Sequence, residues 1–163
     1  MHVIPIAAAI LLTFQGAAAP KQPAAKAPKA VTAPAKSAAA PAVAATDVGV
    51  TVAYKGKGVV DTAHRILVFA FTDANVTSNS RPVGTAQFAA KNGETVTFKN
   101  LTGPVYLFAV YDEKGTYDGV SGPPPAGIPA TIYRKGAKGP ATAVAPGSPA
   151  VKFTFDDSER WSK

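Results

Sequence analysis

From residue 48 the chain alternates between large apolar positions and polar or small ones. Val48, Val50, Val52 and Tyr54 fall on one side, with Gly49, Thr51, Ala53 and Lys55 on the other. A period of two sends successive side chains to opposite faces of an extended backbone, so this stretch predicts a half-buried β-strand. A turn at Gly56-Lys57-Gly58 precedes Ile66-Leu67-Val68-Phe69-Ala70-Phe71, an unbroken apolar run rich in β-branched and aromatic residues. Such a run predicts a central strand covered on both faces. Residues 83–88, after Arg81-Pro82, predict a weaker strand. Asn92-Gly93 then supplies a two-residue turn signal for a hairpin leading into residues 95–99.

After the turn at residues 100–104 comes the second long apolar strand, in which Val105, Leu107 and Ala109 alternate with Tyr106, Phe108 and Val110. Residues 112–125 form a polar loop rich in Gly and Pro. Residues 128–133 and 141–144 predict edge strands, limited by Pro129 and Pro140, which cannot donate to a ladder. Val151, Phe153 and Phe155 alternate with Lys152, Thr154 and Asp156 in a final strand. Seven or eight short strands with no helical periodicity predict an all-β domain over residues 47–157, a single antiparallel sandwich. Residues 158–163 read as a polar C-terminal tail, polar except for Trp161.

The order of these elements resembles the prealbumin-like (transthyretin-like) sandwich modules of exported bacterial proteins, a group that includes carboxypeptidase-regulatory-like and starch-binding-like domains. The resemblance covers about residues 47–157. It is carried by Val48-Gly49-Val50-Thr51-Val52, by Gly93-Glu94-Thr95-Val96-Thr97-Phe98-Lys99-Asn100-Leu101, and by Gly103-Pro104-Val105-Tyr106-Leu107-Phe108-Ala109-Val110-Tyr111-Asp112. Pro104-Val105-Tyr106 stands where many members have a plainer Gly-x-Tyr, and an immunoglobulin-like sandwich has the same strand count. Such modules are mostly accessory, carbohydrate-binding or protein-binding, so the resemblance implies a non-enzymatic role and names no catalytic residue.

The first 46 residues read differently. Residues 3–14 are apolar and uncharged and lead into Gln15-Gly16-Ala17-Ala18-Ala19-Pro20. The run is short for a membrane span, and the small residues beyond it suit a signal peptidase, so residues 1–18 read as a secretory signal peptide. His2 stands where such peptides usually carry Lys or Arg, and an uncleaved N-terminal anchor is the other reading. Residues 19–46 are almost wholly Ala, Pro and Lys, and recurrent Pro with no large apolar residue predicts a disordered linker. Export to the periplasm or the cell exterior follows.

Charge and composition narrow the chemistry. The 163 residues carry 17 Lys and Arg against 10 Asp and Glu, a net charge of +7. Lys21, Lys26, Lys29 and Lys36 contribute four of those charges ahead of every acid, which leaves the domain only about +3. Its cations are scattered, with no dense basic run, so nucleic acid is not an expected partner. The absence of cysteine excludes disulfides, thiolate metal sites and cysteine nucleophiles, and no cofactor is expected.

Four constellations remain as candidate chemistry. Asp112, Glu113 and Asp118 place carboxylates around a Gly turn, oxygen donors that a hard cation such as Ca²⁺ would take. Lys114 at the third position departs from an EF-hand loop, and a solvated turn is the competing reading. His64 beside Asp61 could serve a nucleophile such as Ser78, Ser80 or Ser121, yet no G-x-S-x-G elbow accompanies it. Exposed aromatic rings stack on the C–H faces of sugars. Tyr54, Tyr106, Tyr111, Tyr117, Tyr133 and Trp161 are the candidates, and Tyr117, Tyr133 and Trp161 are preferred because they fall in a polar loop, at a strand end beside Arg134 and Lys135, and in a polar tail. Finally, Asn75-Val76-Thr77 and Asn100-Leu101-Thr102 match glycosylation sequons, which matter only in a eukaryotic source.

Together these features lead to an exported, non-catalytic binding or accessory module, with carbohydrate as the more specific ligand. The alternative is a structural or interaction protein of the bacterial envelope that pairs the edge strand at residues 128–133 with a partner. A glycan or an envelope protein is the corresponding partner.

Overall fold

The computed structural model describes residues 45–136 and 138–162. The expected signal peptide (1–18), and the expected linker (19–46) except its last two residues, lie outside them. Eight strands follow in chain order: β1 (Val48–Tyr54), β2 (Ile66–Phe71), β3 (Gln87–Ala89), β4 (Glu94–Phe98), β5 (Val105–Tyr111), β6 (Ala130–Ile132), β7 (Ala143–Val144) and β8 (Val151–Phe155). Among the described residues there is no helix, and so none long and apolar enough to cross a membrane.

The strands form two sheets, a three-stranded one in the order β4-β1-β8 and a five-stranded one in the order β3-β2-β5-β6, with β7 also on β5. Their facing sides share one core. Val48, Val50, Val52, Val96, Phe98, Phe153 and Phe155 come from the first sheet, and Ile66, Val68, Ala70, Val105, Leu107 and Ala109 from the second. Burying a Val, Leu or Phe side chain contributes about 1.5–3 kcal/mol, which makes this seam the main support of the fold.

Two expectations need correction. The sandwich is not wholly antiparallel, because β8 runs parallel to β1, with Val52 opposite Phe153. After β1 the chain crosses to the second sheet and returns only at the end, and parallel neighbours require a long connection of that kind. The Asn92-Gly93 turn is present, with Gly93 at φ 78°, but it does not close a two-stranded hairpin. β3 pairs with β2, whereas β4 pairs with β1 in the other sheet. The turn is tied to β1 instead. Gly93 N–H donates to the Val52 carbonyl at 2.8 Å, and the Asn92 side-chain oxygen accepts the Tyr54 N–H at 2.7 Å.

The expected edge strands are shorter than their apolar stretches and lie one after the other along β5. β6 pairs with Phe108, Ala109 and Val110, and β7 with Val105 and Tyr106. The C-terminal residues continue this edge. Ala130 N–H donates to the Glu159 carbonyl (3.1 Å), Trp161 N–H to Ile128 (2.9 Å), and Gly127 N–H to Trp161 (2.8 Å). The segment that looks like a polar tail is therefore hydrogen-bonded to the strand beside it.

Candidate functional site

β2 and β5 are apolar on both faces, so the five-stranded sheet has a second apolar face turned away from the shared core. Leu67, Phe69 and Phe71 from β2, and Phe108 and Val110 from β5, lie on it, joined by Ala86, Tyr117, Ile128 and Ala130. No third sheet covers this face among the described residues. The loop of residues 72–86, the loop of residues 112–129 and Trp161 cover it instead, and they leave a cleft of about 540 Å³. That volume lies within the usual range of small-ligand sites, about 300–1,000 Å³.

The base of the cleft is a chain of rings. Phe69 stands 6.4 Å from Phe71, 6.4 Å from Phe108 and 6.2 Å from Tyr117, and the Phe108 ring meets Trp161 edge-on at 5.4 Å. The register accounts for this, because β2 and β5 place Phe69 opposite Phe108. One wall is polar and carries Thr77, Ser78, Asn79, Ser80, Arg81 and Thr85, while Val120, Pro123 and Pro124 contribute to the other. Val120 is 76% exposed beside the opening.

Side-chain oxygens build the loops. Ser80 Oγ accepts the Thr77 N–H at 2.9 Å, and Asp73 accepts the Asn75 N–H at 2.7 Å. Val83 N–H donates to the Ala70 carbonyl at 2.7 Å and ties the far end of this loop to β2. In the second loop Asp112, only 1% exposed, accepts the Tyr117 N–H at 2.9 Å and the Lys114 N–H at 3.3 Å. Asp118 accepts the N–H groups of Val120 and Ser121, each at 2.9 Å, and the Ser121 hydroxyl. Those bonds, the Ser121 hydroxyl foremost, hold the Asp118 carboxyl down at about 2. Gly119 follows Asp118 directly, at φ 74°. A Cβ there would stand 2.9 Å from Leu67 Cδ2 and 3.1 Å from Ala86 Cβ, so glycine lets the loop sit directly on the sheet.

The preferred aromatics divide between two places. Tyr117 and Trp161 line the cleft together, but Tyr117 is only 8% exposed and its hydroxyl donates to the Gly122 carbonyl at 3.0 Å. Burial pushes its phenol up to about 12. Trp161 is partly buried, and its Nε1 is enclosed without a hydrogen-bond partner. Tyr133 does not join them. It packs edge-on against Phe153 at 5.4 Å and lines a smaller groove of about 360 Å³ between β6 and β8. There Arg134 pairs with Glu159 at 2.9 Å. Burial raises the Glu159 carboxyl, but the Thr131 hydroxyl and Arg134 outweigh it and leave the group below its ordinary value. Tyr54 and Tyr111 stack at 4.0 Å in the shared core, and Tyr106 is half-buried.

Asp112, Glu113 and Asp118 do not come together. Asp112 and Asp118 are occupied by the loop bonds above, and Glu113 pairs with Arg160 at 3.1 Å. Among the described residues no three acidic or histidine side chains gather as a cation site. His64 Nδ1 lies 3.1 Å from the Asp61 carboxylate, which also accepts the His64 and Ala63 N–H groups. These bonds, the His64 N–H first, hold the Asp61 carboxyl below its ordinary value. His64 lines neither the cleft nor the groove, whereas Ser78 and Ser80 stand on the cleft wall. The chemistry on offer in the cleft is ring packing, hydrogen bonding and the positive charge of Arg81.

Sequence reasoning missed Phe69, Phe71 and Phe108 as site residues because each reads as core. It considered Ser78 and Ser80 only as nucleophiles for His64 and Thr77 only within a sequon, and did not single out Asn79 or Arg81. The signal was present in the alternation, which places Phe69 and Phe71 on one face and Phe108 on one face of its own strand. No family model, no curated protein and no solved structure matches the chain.

Proposed function

We propose that this protein is an exported, non-catalytic binding module whose ligand is a carbohydrate held in the cleft on the outer face of the five-stranded sheet. The observation that carries this reading is the meeting of Trp161 and Tyr117 with three phenylalanine rings beneath a wall of hydroxyl and amide groups. Phe69, Phe71, Phe108 and Tyr117 are buried and floor the cleft, Trp161 is the partly exposed ring that offers a surface for sugar C–H groups, and Thr77, Ser78, Asn79, Ser80 and Thr85 offer partners for sugar hydroxyls. Export rests on the apolar run at residues 3–14 and the small residues after it. The reading of the domain as a prealbumin-like module rests on the strand motifs at residues 48–52, 93–101 and 103–112.

The interaction reading keeps one observation in its favour, in a different strand from the one expected. The edge near residues 128–130 is already paired by residues 159–161. β8, however, hydrogen-bonds only to β1 among the described residues, and its other side borders the groove at Tyr133. A partner strand would add there.

Trp161 is the only tryptophan, so the emission of the full chain reports on the cleft alone. Titration with soluble oligosaccharides is expected to shift that emission saturably. In Trp161→Phe, calorimetry is expected to show weakened binding. Flat titrations across neutral and acidic sugars would remove the carbohydrate reading and leave strand addition at β8.

A further inference from the structure

Charge around the cleft is one-sided. Its lining contains no Asp or Glu and a single cation, Arg81. The ion pairs among the described residues engage His64, Arg134 and Arg160, and Arg81 takes part in none. Asp73 and Asp118 of the two covering loops turn their carboxylates to N–H groups of their own loops, and neither pairs with Arg81. Asp73 accepts the Asn75 N–H within its own loop, and Asp118 is held by Val120 and Ser121. Pro82 restricts the Arg81 backbone to extended conformations, and the Val83 bond to Ala70 anchors the chain two residues further on. The side chain thus springs from a fixed point on the wall and is itself exposed, so its guanidinium is open to an anion at the cleft.

We infer that the ligand of this cleft is an acidic saccharide, whose sugar ring lies against the aromatic base while its carboxylate is bound by the Arg81 guanidinium. This inference rests on the cleft being a sugar site and adds the ligand's charge to it. A guanidinium presents a planar fork that matches a carboxylate in two parallel hydrogen bonds, which a lysine ammonium does not reproduce. Neutral glycans would use the rings and hydroxyls and leave Arg81 without a partner.

A trigalacturonate and its fully methyl-esterified form share one backbone and differ in charge, so they separate the two levels of the reading. With the full chain, Trp161 emission and calorimetry are expected to show the acid binding at least about tenfold more tightly than the ester. The preference should shrink as salt rises and collapse in Arg81→Gln, with Arg81→Lys recovering part of it. Equal affinity for the two forms would overturn the acidic ligand and leave the sugar site standing. A preference that survives in Arg81→Gln would overturn the role of Arg81. If neither compound binds, both the sugar site and the inference built on it fail.

Discussion

The two faces of the five-stranded sheet are built by the same strands and do different work. On the inner face, Ile66, Val68, Ala70, Leu107 and Ala109 are fully buried against the other sheet, and the packing partners are themselves regular strands. On the outer face, Phe69, Phe71 and Phe108 are covered by two loops and one tryptophan, and a cleft remains. Aliphatic side chains meeting a facing sheet close a seam. Large flat rings beneath irregular loops leave space between loop and sheet, and that space carries the polar wall and Arg81. A binding site arises here because one apolar face has no sheet to close it.

Truncation should separate the faces most sharply. Leu107→Ala is expected to cost about 2–5 kcal/mol in denaturant melts, because it leaves a sealed cavity in the seam. Phe108→Ala is expected to cost nearer the transfer energy alone, about 2 kcal/mol, because the vacated volume joins an existing cleft. It should also alter Trp161 emission, which Leu107→Ala in a still-folded protein should leave in place. Equal losses at both positions would show that the outer face is as tightly sealed as the inner.

Gly119→Ala tests how closely the loop is pressed to the outer face. A left-handed backbone carrying a Cβ that crowds Leu67 is expected to cost about 1–2 kcal/mol. Amide exchange should accelerate in residues 112–129 before it does in β1 or β2. Tyr117→Phe removes the bond to the Gly122 carbonyl and should cost about 1 kcal/mol. An unchanged melting curve would mean that this bond does not hold the loop.

The smallest effect is in pH. The Asp118 carboxyl lies at about 2 in the folded chain against an ordinary 3.8, so on acidification the unfolded chain takes up the proton first. Its stabilising contribution is complete above 3.8 and is lost as pH falls toward 2. Asp118→Asn should flatten the pH dependence of the cleft-side loop in that window, read from Trp161 emission. A pH dependence identical to that of the parent would show that the Ser121 and Val120 bonds contribute nothing to this loop's hold.

Much of the fold is legible in the residues. The alternation at Val48, Val50 and Val52, and at Val151, Phe153 and Phe155, predicts β1 and β8 with their buried faces, the continuous run at residues 66–71 predicts β2 as a strand covered on both sides, and the run at residues 105–111 predicts β5 as the second long apolar strand. The extents of β3, β6 and β7 were less visible, since two or three residues of ladder against a neighbour leave little mark on local composition. The site was legible only in fragments. Tyr117 and Trp161 stand out in polar surroundings, but nothing local says that they share a cleft while Tyr133 lies in another groove.

The sequence by itself determined the all-β character, the face each strand residue occupies and the charge carried by each segment, because period, backbone preference and charge belong to neighbouring residues. Only the tertiary structure decided that β3 and β4 part company at Asn92-Gly93, that β8 joins β1 in parallel, and that Phe69, Phe108, Tyr117, Trp161 and Arg81 surround one cleft. Those outcomes depend on contacts between residues far apart in the chain. They are set by which apolar face finds a partner sheet and which must be covered by loops.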